Sequence, residues 1–267
     1  MVAIQPDRTF GDDEMSHETI LYSEKDHIGL LTLNRPRTIN ALNRKMIEEL
    51  DDLFDGLSVN DDIRVLVITG SGEKGFCSGM DMKESAAQLF EATPEMIYKF
   101  QSLASRLFFK MRRMPQPVIA AVHGAASGAG FSFALAADVR VITPQARFNA
   151  AYINIGLGGA DLASSYFLPR QIGSGRASEF LLTGEFMGAE DAMSLGFASR
   201  MVEKDVLLDT AFEIARKMVE KNPLGLRMTK EAINQNLDAG SMEQALHLEN
   251  RNQSFLIAGL KIGAQKR

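Results

Sequence analysis

The sequence predicts an α/β fold followed by a helical C-terminal region, on three observations. Short apolar runs rich in β-branched residues alternate with helical-period segments from Thr19 to about residue 200. Two of those runs lead into loops of Gly, Ala and Ser. From about Asp205 onward the pattern is almost wholly helical. Strands that alternate with helices imply right-handed crossovers and a largely parallel sheet.

The elements follow in order. Thr19–Ser23 and Ile28–Leu33 are β-prone runs around a polar turn, Glu24 to His27, and predict a hairpin. Met46, Ile47, Leu50, Leu53, Phe54 and Leu57 recur at helical spacing, predicting a helix over Asn43–Leu57. Ile63–Thr69 is apolar apart from Arg64 and reads as a strand buried on both faces. A Gly-rich loop, Gly70–Gly79, follows it. Pro94–Met114 is a predicted helix with Pro94 in its first turn. Val118–Val122 is a strand, Ala129–Ala137 a buried helix and Val139–Thr143 a further strand. Helices over Asp205–Lys221, Leu224–Leu237 and Ser241–Ala258 complete the chain. The expected organisation is a tail over 1–17, a core over 18–200 and a helical region over 201–267, with no internal repeat in the sequence.

Composition narrows the function classes. The chain has 267 residues, of which 45% are hydrophobic and 24% charged, an ordinary globular mix. Its net charge is −5 and its Lys and Arg are scattered, which argues against nucleic acid or an anionic membrane as the main partner. The single cysteine, Cys77, allows no internal disulfide and suits a reducing cytoplasm. Met1–His17 is acidic and carries no signal-peptide pattern. Pro117–Ala137 lacks Asp, Glu, Lys and Arg and is long enough to span a bilayer, but three glycines break it, so it reads as strand, turn and buried helix. His17, His27, His123 and His247 show no metal-ligand spacing, and no nicotinamide-type pyrophosphate fingerprint is present.

Three segments carry candidate chemistry, each with a plainer alternative. Gly75-Phe-Cys-Ser-Gly-Met-Asp-Met-Lys83 follows a buried strand, and its free backbone N–H groups suit developing negative charge; it is otherwise a turn. Gly124-Ala-Ala-Ser-Gly-Ala-Gly130 opens a helix, presenting unpaired N–H groups and the positive end of the dipole, or it serves tight helix packing. Asp161, in the apolar run Ile155–Ala163, is either an acid–base group whose pKa burial raises or the N-cap of a helix starting near Leu162. A fourth pattern, Gly130-Phe-Ser-Phe-Ala134 with Asp161 and His247 in the order of an α/β-hydrolase, raises a serine hydrolase using Ser132. The loop before it and Ala134 in place of glycine count against that reading.

Taken together, four stretches resemble the enoyl-CoA hydratase/isomerase (crotonase) superfamily from about Thr19 to Gln253. They are Leu33-Asn-Arg-Pro-Arg-Thr-Ile-Asn-Ala-Leu42, Gly75–Lys83, Ala121–Gly130 and Leu181–Gly196, specific in this order and at these separations. The resemblance implies a crotonase-like spiral of ββα units and C-terminal helices that build homotrimers or dimers of trimers. It implies an acyl-CoA thioester substrate and no separate cofactor, since coenzyme A arrives with the substrate. It places an oxyanion hole on the backbone N–H groups of Met80 and Ala129, the latter often Gly in the family. Ser78 falls beside the adenine, and Arg37 and Lys83 are candidates for the CoA phosphates or else solvated surface cations.

The departures set the expected chemistry. The two glutamates of the family's hydratases are replaced here by Ser132 and Tyr152, poor bases at neutral pH. Asp161 instead matches the position used by dienoyl-CoA and ring-1,2-epoxyphenylacetyl-CoA isomerases. The expectation is a CoA-thioester isomerase with Asp161 as base then acid and Tyr152 as pocket wall or auxiliary donor. The alternatives are hydratase activity with atypical residues, decarboxylase, hydrolase or lyase chemistry, and a non-catalytic acyl-CoA-binding protein. Phe90, Met96, Phe100 and Phe131 either wall the acyl chain or belong to the core.

Overall fold

The computed structural model of the chain describes residues 17–84 and 91–265. The expected tail, apart from His17, and Phe90 lie outside the described residues.

Strands β1 (Ile20–Lys25) and β2 (Ile28–Leu33) form the expected antiparallel hairpin. Its turn residues, Asp26 and His27, both have positive φ (51° and 66°), the twist that a two-residue hairpin loop requires. Helix α1 (Arg44–Val59) starts where Asn43 caps it, the Asn43 side chain accepting from Met46 N–H at 3.0 Å. Helix α2 (Pro94–Arg113) begins with Pro94 behind its cap Thr93.

The remaining strands are β3 (Val65–Gly70), β4 (Gly75–Cys77), β5 (Val118–Val122), β6 (Ala125–Ser127), β7 (Val139–Ile142), β8 (Arg147–Asn149), β9 (Met187–Gly188) and β10 (Arg200–Met201). They form a six-stranded sheet, β1-β2-β3-β5-β7-β10, and a four-stranded sheet, β4-β6-β8-β9. Each turn of the chain lays one strand in the large sheet and the next in the small one: β3 then β4, β5 then β6, β7 then β8. The pairings β3/β5/β7 and β4/β6/β8 are all parallel. The repeat is therefore topological, which is why no periodicity marks it in the sequence. Strands β6 and β8 lie in segments too short to carry a period-2 signal.

Alternation along the strands separates two cores. Leu66 and Ile68 of β3 face the interior between the sheets and helices, with Phe76, Phe108, Phe133 and Phe148. Val65 and Val67 face the other way and meet Leu207, Ala211 and Ala215 of helix α7 (Leu207–Val219). The first helix of the expected C-terminal region thus covers the outer face of the large sheet. Helix α3 (Ala129–Ala136) is buried along its whole length. Its C-terminal end is held by charge: Asp138 pairs with Arg112 at 2.9 Å and with the buried Lys230 at 3.0 Å and accepts from Val118 N–H. No helix among the described residues is long and apolar enough to cross a membrane.

Helices α4 (Ser164–Ile172), α5 (Ser174–Thr183) and α6 (Ala189–Ser194) follow the small sheet. Helices α8 (Pro223–Asn236) and α9 (Met242–Gln265) end the described chain.

Candidate active site

Two loops leave the small sheet side by side. In the first, Ser78 N–H donates to Ile39 O (2.9 Å), Gly79 O accepts from Leu42 N–H (2.7 Å), and Asp81 N–H donates to Leu42 O (2.8 Å). The chain is pinned on both sides of Met80, whose own N–H has no acceptor among the described residues. In the second, Gly128 N–H donates to Asn149 O at 3.0 Å. Ala129 then opens α3, so its N–H has no intrahelical acceptor, and no other described residue supplies one.

The two glycines before these amides fit into each other. Gly79 has φ +100°, and a Cβ there would stand 2.9 Å from Ser127 O and 3.5 Å from Ala129 N. Gly128 has φ +52°, and its Cβ would stand 3.7 Å from Gly79 Cα and 3.3 Å from the Tyr152 ring. Both positions exclude a side chain by contact and by backbone conformation. The backbone segments that carry the Met80 and Ala129 amides are thereby packed against each other.

The geometry of the first loop rests on the segment before it. Asn40, fully buried and left-handed (φ 53°), donates its side-chain amide to Phe76 O (3.0 Å) and Ser71 O (2.9 Å). The Cys77 thiol donates to Asn40 O at 3.1 Å, and burial pushes that thiol's pKa up to about 12. Arg35 donates to Ala41 O (2.6 Å) and to the Asp81 carboxylate (2.9 Å). Burial alone would raise the Asp81 pKa, but hydrogen bonds from Glu84 N–H and Arg35, with the Arg35 charge, outweigh it and hold it below the ordinary aspartate value.

Beyond Gly128 lies Tyr152, on a 3₁₀ turn (Ala151–Ile155) after β8. Its hydroxyl is 3.1 Å from Ser132 Oγ, so the two positions predicted to replace a pair of glutamates face each other. Burial raises the Tyr152 pKa, and the Asp161 charge adds to the rise; the phenol keeps its proton. Asp161 is half-buried, not enclosed by its apolar run as the sequence suggested, because Gly158–Ala163 passes near the surface. Its Oδ1 accepts from the Gln101 side-chain amide (2.5 Å) and from Leu162 N–H (2.8 Å). The helix-cap alternative fails: Leu162 (φ 46°) and Ala163 (φ 66°) are both left-handed, α4 starts only at Ser164, and Ala163 occupies the cap position.

Of the expected CoA contacts, Ser78 is half-buried with its hydroxyl donating to Thr38 O at 2.9 Å, next to Arg37. Arg37 and Lys83 are exposed, and neither has an ion pair among the described residues. Phe131 belongs to the core, packed with Phe148 and Phe197, whereas Met96 is exposed and Phe100 half-buried. The serine-hydrolase triad is not assembled. Ser132 is fully buried and bonded to Tyr152, and His247 lies exposed on α9 beside Glu243. A cleft of about 840 Å³ lies between α2, α4 and α8, with Ala163 at its edge, and is not lined by Met80 or Ala129.

The family model described as enoyl-CoA hydratase/isomerase matches residues 23–265. The chain belongs to the enoyl-CoA hydratase/isomerase family. A protein named probable enoyl-CoA hydratase in Mycobacterium leprae is 39% identical over 240 residues, 89% of this chain and 81% of the relative. The 1,2-epoxyphenylacetyl-CoA isomerase of Escherichia coli is 32% identical over 236 residues, 88% of this chain and 89% of that one. The crystal structure of enoyl-CoA hydratase from Bacillus anthracis superposes with a TM-score of 0.85 at 30% identity, covering 94% of this chain and 97% of that one. The fold is crotonase-like. Within this enoyl-CoA hydratase/isomerase chain, three site residues escaped sequence reasoning. Arg35 and Asn40 stand inside a matching stretch, which was a signal. Gln101 stands on a solvent-facing helix position with no signal at all.

Proposed function

We propose that the chain is an acyl-CoA isomerase in which Asp161 moves a proton between carbons of an enoyl thioester. The substrate class comes from the family; the isomerase chemistry is the finer step. One observation supports it: where water activation would need a free carboxylate pair, the two positions hold hydroxyls bonded to each other at 3.1 Å, Ser132 and Tyr152. The carboxylate within electrostatic reach of that pair is Asp161.

In this reading the Asp161 carboxylate takes a proton from one carbon beside the conjugated system. The electron pair left behind delocalises onto the thioester oxygen. The Met80 and Ala129 N–H groups donate to that oxygen, an interaction stronger in the transition state than in the ground state and worth about 3 kcal/mol per donor. The Asp161 carboxyl then returns the proton to the other end of the system, so the double bond shifts and the composition is unchanged. Tyr152 walls the pocket and donates through its retained proton. Arg37, Ser78 and Lys83 bind the coenzyme A portion, and no separate cofactor takes part. Exposed apolar residues of the C-terminal helices, among them Met242, Phe255 and Ile257, support a homotrimer or dimer of trimers. The composition, with a single reduced cysteine, fits the cytoplasm.

Water addition is the second reading, favoured by the name of the Mycobacterium leprae relative. A panel of enoyl-, dienoyl- and aryl-CoA esters, scored separately for isomer shift and for hydration, divides the two. The isomerase reading expects isomer shift to dominate and Asp161→Asn to abolish it. Hydration as the main product, or turnover that persists in Asp161→Asn, would refute it.

A further inference from the structure

A polar cavity lies where strand β6 begins. His123 and Thr143 directly follow the adjacent strands β5 and β7 and are only 5% and 1% exposed. His123 Nε2 and Thr143 Oγ1 are both buried without a hydrogen-bond partner among the described residues. Leaving such a group unpaired typically costs about 1–3 kcal/mol, so two in one place call for a partner. Both residues line a single cavity of about 410 Å³, whose other walls include Glu73, Lys74, Arg147 and Lys204.

The charge of those walls sets the ligand's sign. Lys204 is paired with Glu73, which leaves Lys74 and Arg147 as two cations with no ion pair among the described residues. The Arg147 guanidinium is held in place over the Phe186 ring, 4.8 Å from its centroid. A guanidinium, an ammonium and a hydroxyl among the residues that line one cavity suit a tetrahedral oxyanion. We propose that this cavity binds a small dianion of the phosphate class, with Lys74 and Arg147 balancing its charge, the Thr143 hydroxyl donating to one of its oxygens and His123 Nε2 accepting from its P–OH group.

The site is separate from the candidate active site. Strand β6 starts at the cavity with Ala125 and delivers Gly128 and Ala129 at its far end, three residues and roughly 10 Å away. The proposal therefore does not depend on the isomerase reading.

Calorimetric titration of the full chain with inorganic phosphate, at neutral pH and fixed ionic strength, tests it. One phosphate per chain is expected, with acetate binding far more weakly. Arg147→Gln and the shape-preserving Thr143→Val should each weaken phosphate binding by about tenfold or more, the worth of one lost charged contact. Arg37→Gln with Lys83→Gln should leave it unchanged. Absence of saturable heat, acetate binding as tight as phosphate, unaltered affinity in both cavity variants, or loss of binding in the Arg37/Lys83 variant would each overturn the assignment.

Discussion

Ser132 Oγ and the Tyr152 hydroxyl lie 3.1 Å apart and join helix α3 to the turn after β8. Each is the other's polar partner in a buried place. Tyr152→Phe keeps the ring against Gly128 but leaves Ser132 Oγ without this bond, so stability should fall by about 1–3 kcal/mol. Thermal melting measures that loss. If Asp161 alone moves the proton, isomer shift should persist within about tenfold, a modest change for a residue outside the proton transfer.

Gly79→Ala should be far more damaging than Met80→Leu. Alanine at 79 must adopt φ near +100° with its Cβ 2.9 Å from Ser127 O, so the loop has to move and the Met80 amide with it. Loss of one oxyanion donor lowers kcat by about 10²–10³. Steady-state kinetics should show that drop for Gly79→Ala, while Met80→Leu, which keeps the N–H, stays near wild type.

Gln101 holds the Oδ1 of Asp161 from helix α2, so under the proposed isomerase chemistry it is expected to act as a positioning residue. Gln101→Leu should lower kcat by about tenfold, the scale of one lost hydrogen bond to a charged group, with KM little changed. A purely structural role would instead lower the melting temperature and leave the pH–rate profile unmoved. Gln101→Asn, which keeps the amide but shortens its reach, should restore part of the loss.

Acid should loosen the first loop through Asp81. Its pKa is held below the ordinary aspartate value, so its contribution to stability is fully present above that value, near pH 4, and is lost as pH falls through the lower folded value. Unfolding measured over an acid series should therefore show the gap between wild type and Asp81→Asn closing below about pH 4. A constant gap would assign the effect to packing.

Cys77 should be inert in the native state. Its thiol is buried, donates to Asn40 O and has its pKa pushed up to about 12. Alkylation at neutral pH should be undetectable by mass spectrometry in native protein and rapid in denaturant. Fast labelling of folded protein would show that the Cys77 strand opens.

Much of the architecture was legible because it rests on local periodicity. The hairpin, α1, β3, α2, β5, α3 and β7 all follow from apolar spacing and, for α2, a proline at its start. The short strands β6 and β8 were not, because three residues carry no period and their pairing is decided by strands far away in the chain. The candidate site divides in the same way. Loops rich in Gly pointed to Met80 and Ala129 through the resemblance, since only glycine tolerates what precedes them. The Gln101–Asp161 bond joins residues 60 apart, and nothing local in either segment foreshadows it.

The sequence by itself determined the longer elements, the family resemblance and the Gly-rich loops where backbone N–H groups remain free, because hydrophobic period and glycine placement act over a few residues. Only the tertiary structure decided which of those places meet. It joined Ser132 to Tyr152, left Asp161 half-buried, took the helix-cap role away from it, and gathered His123 and Thr143 at one cavity. Such juxtapositions depend on how parallel strands from distant segments register against each other, and that register is fixed by packing across the whole core.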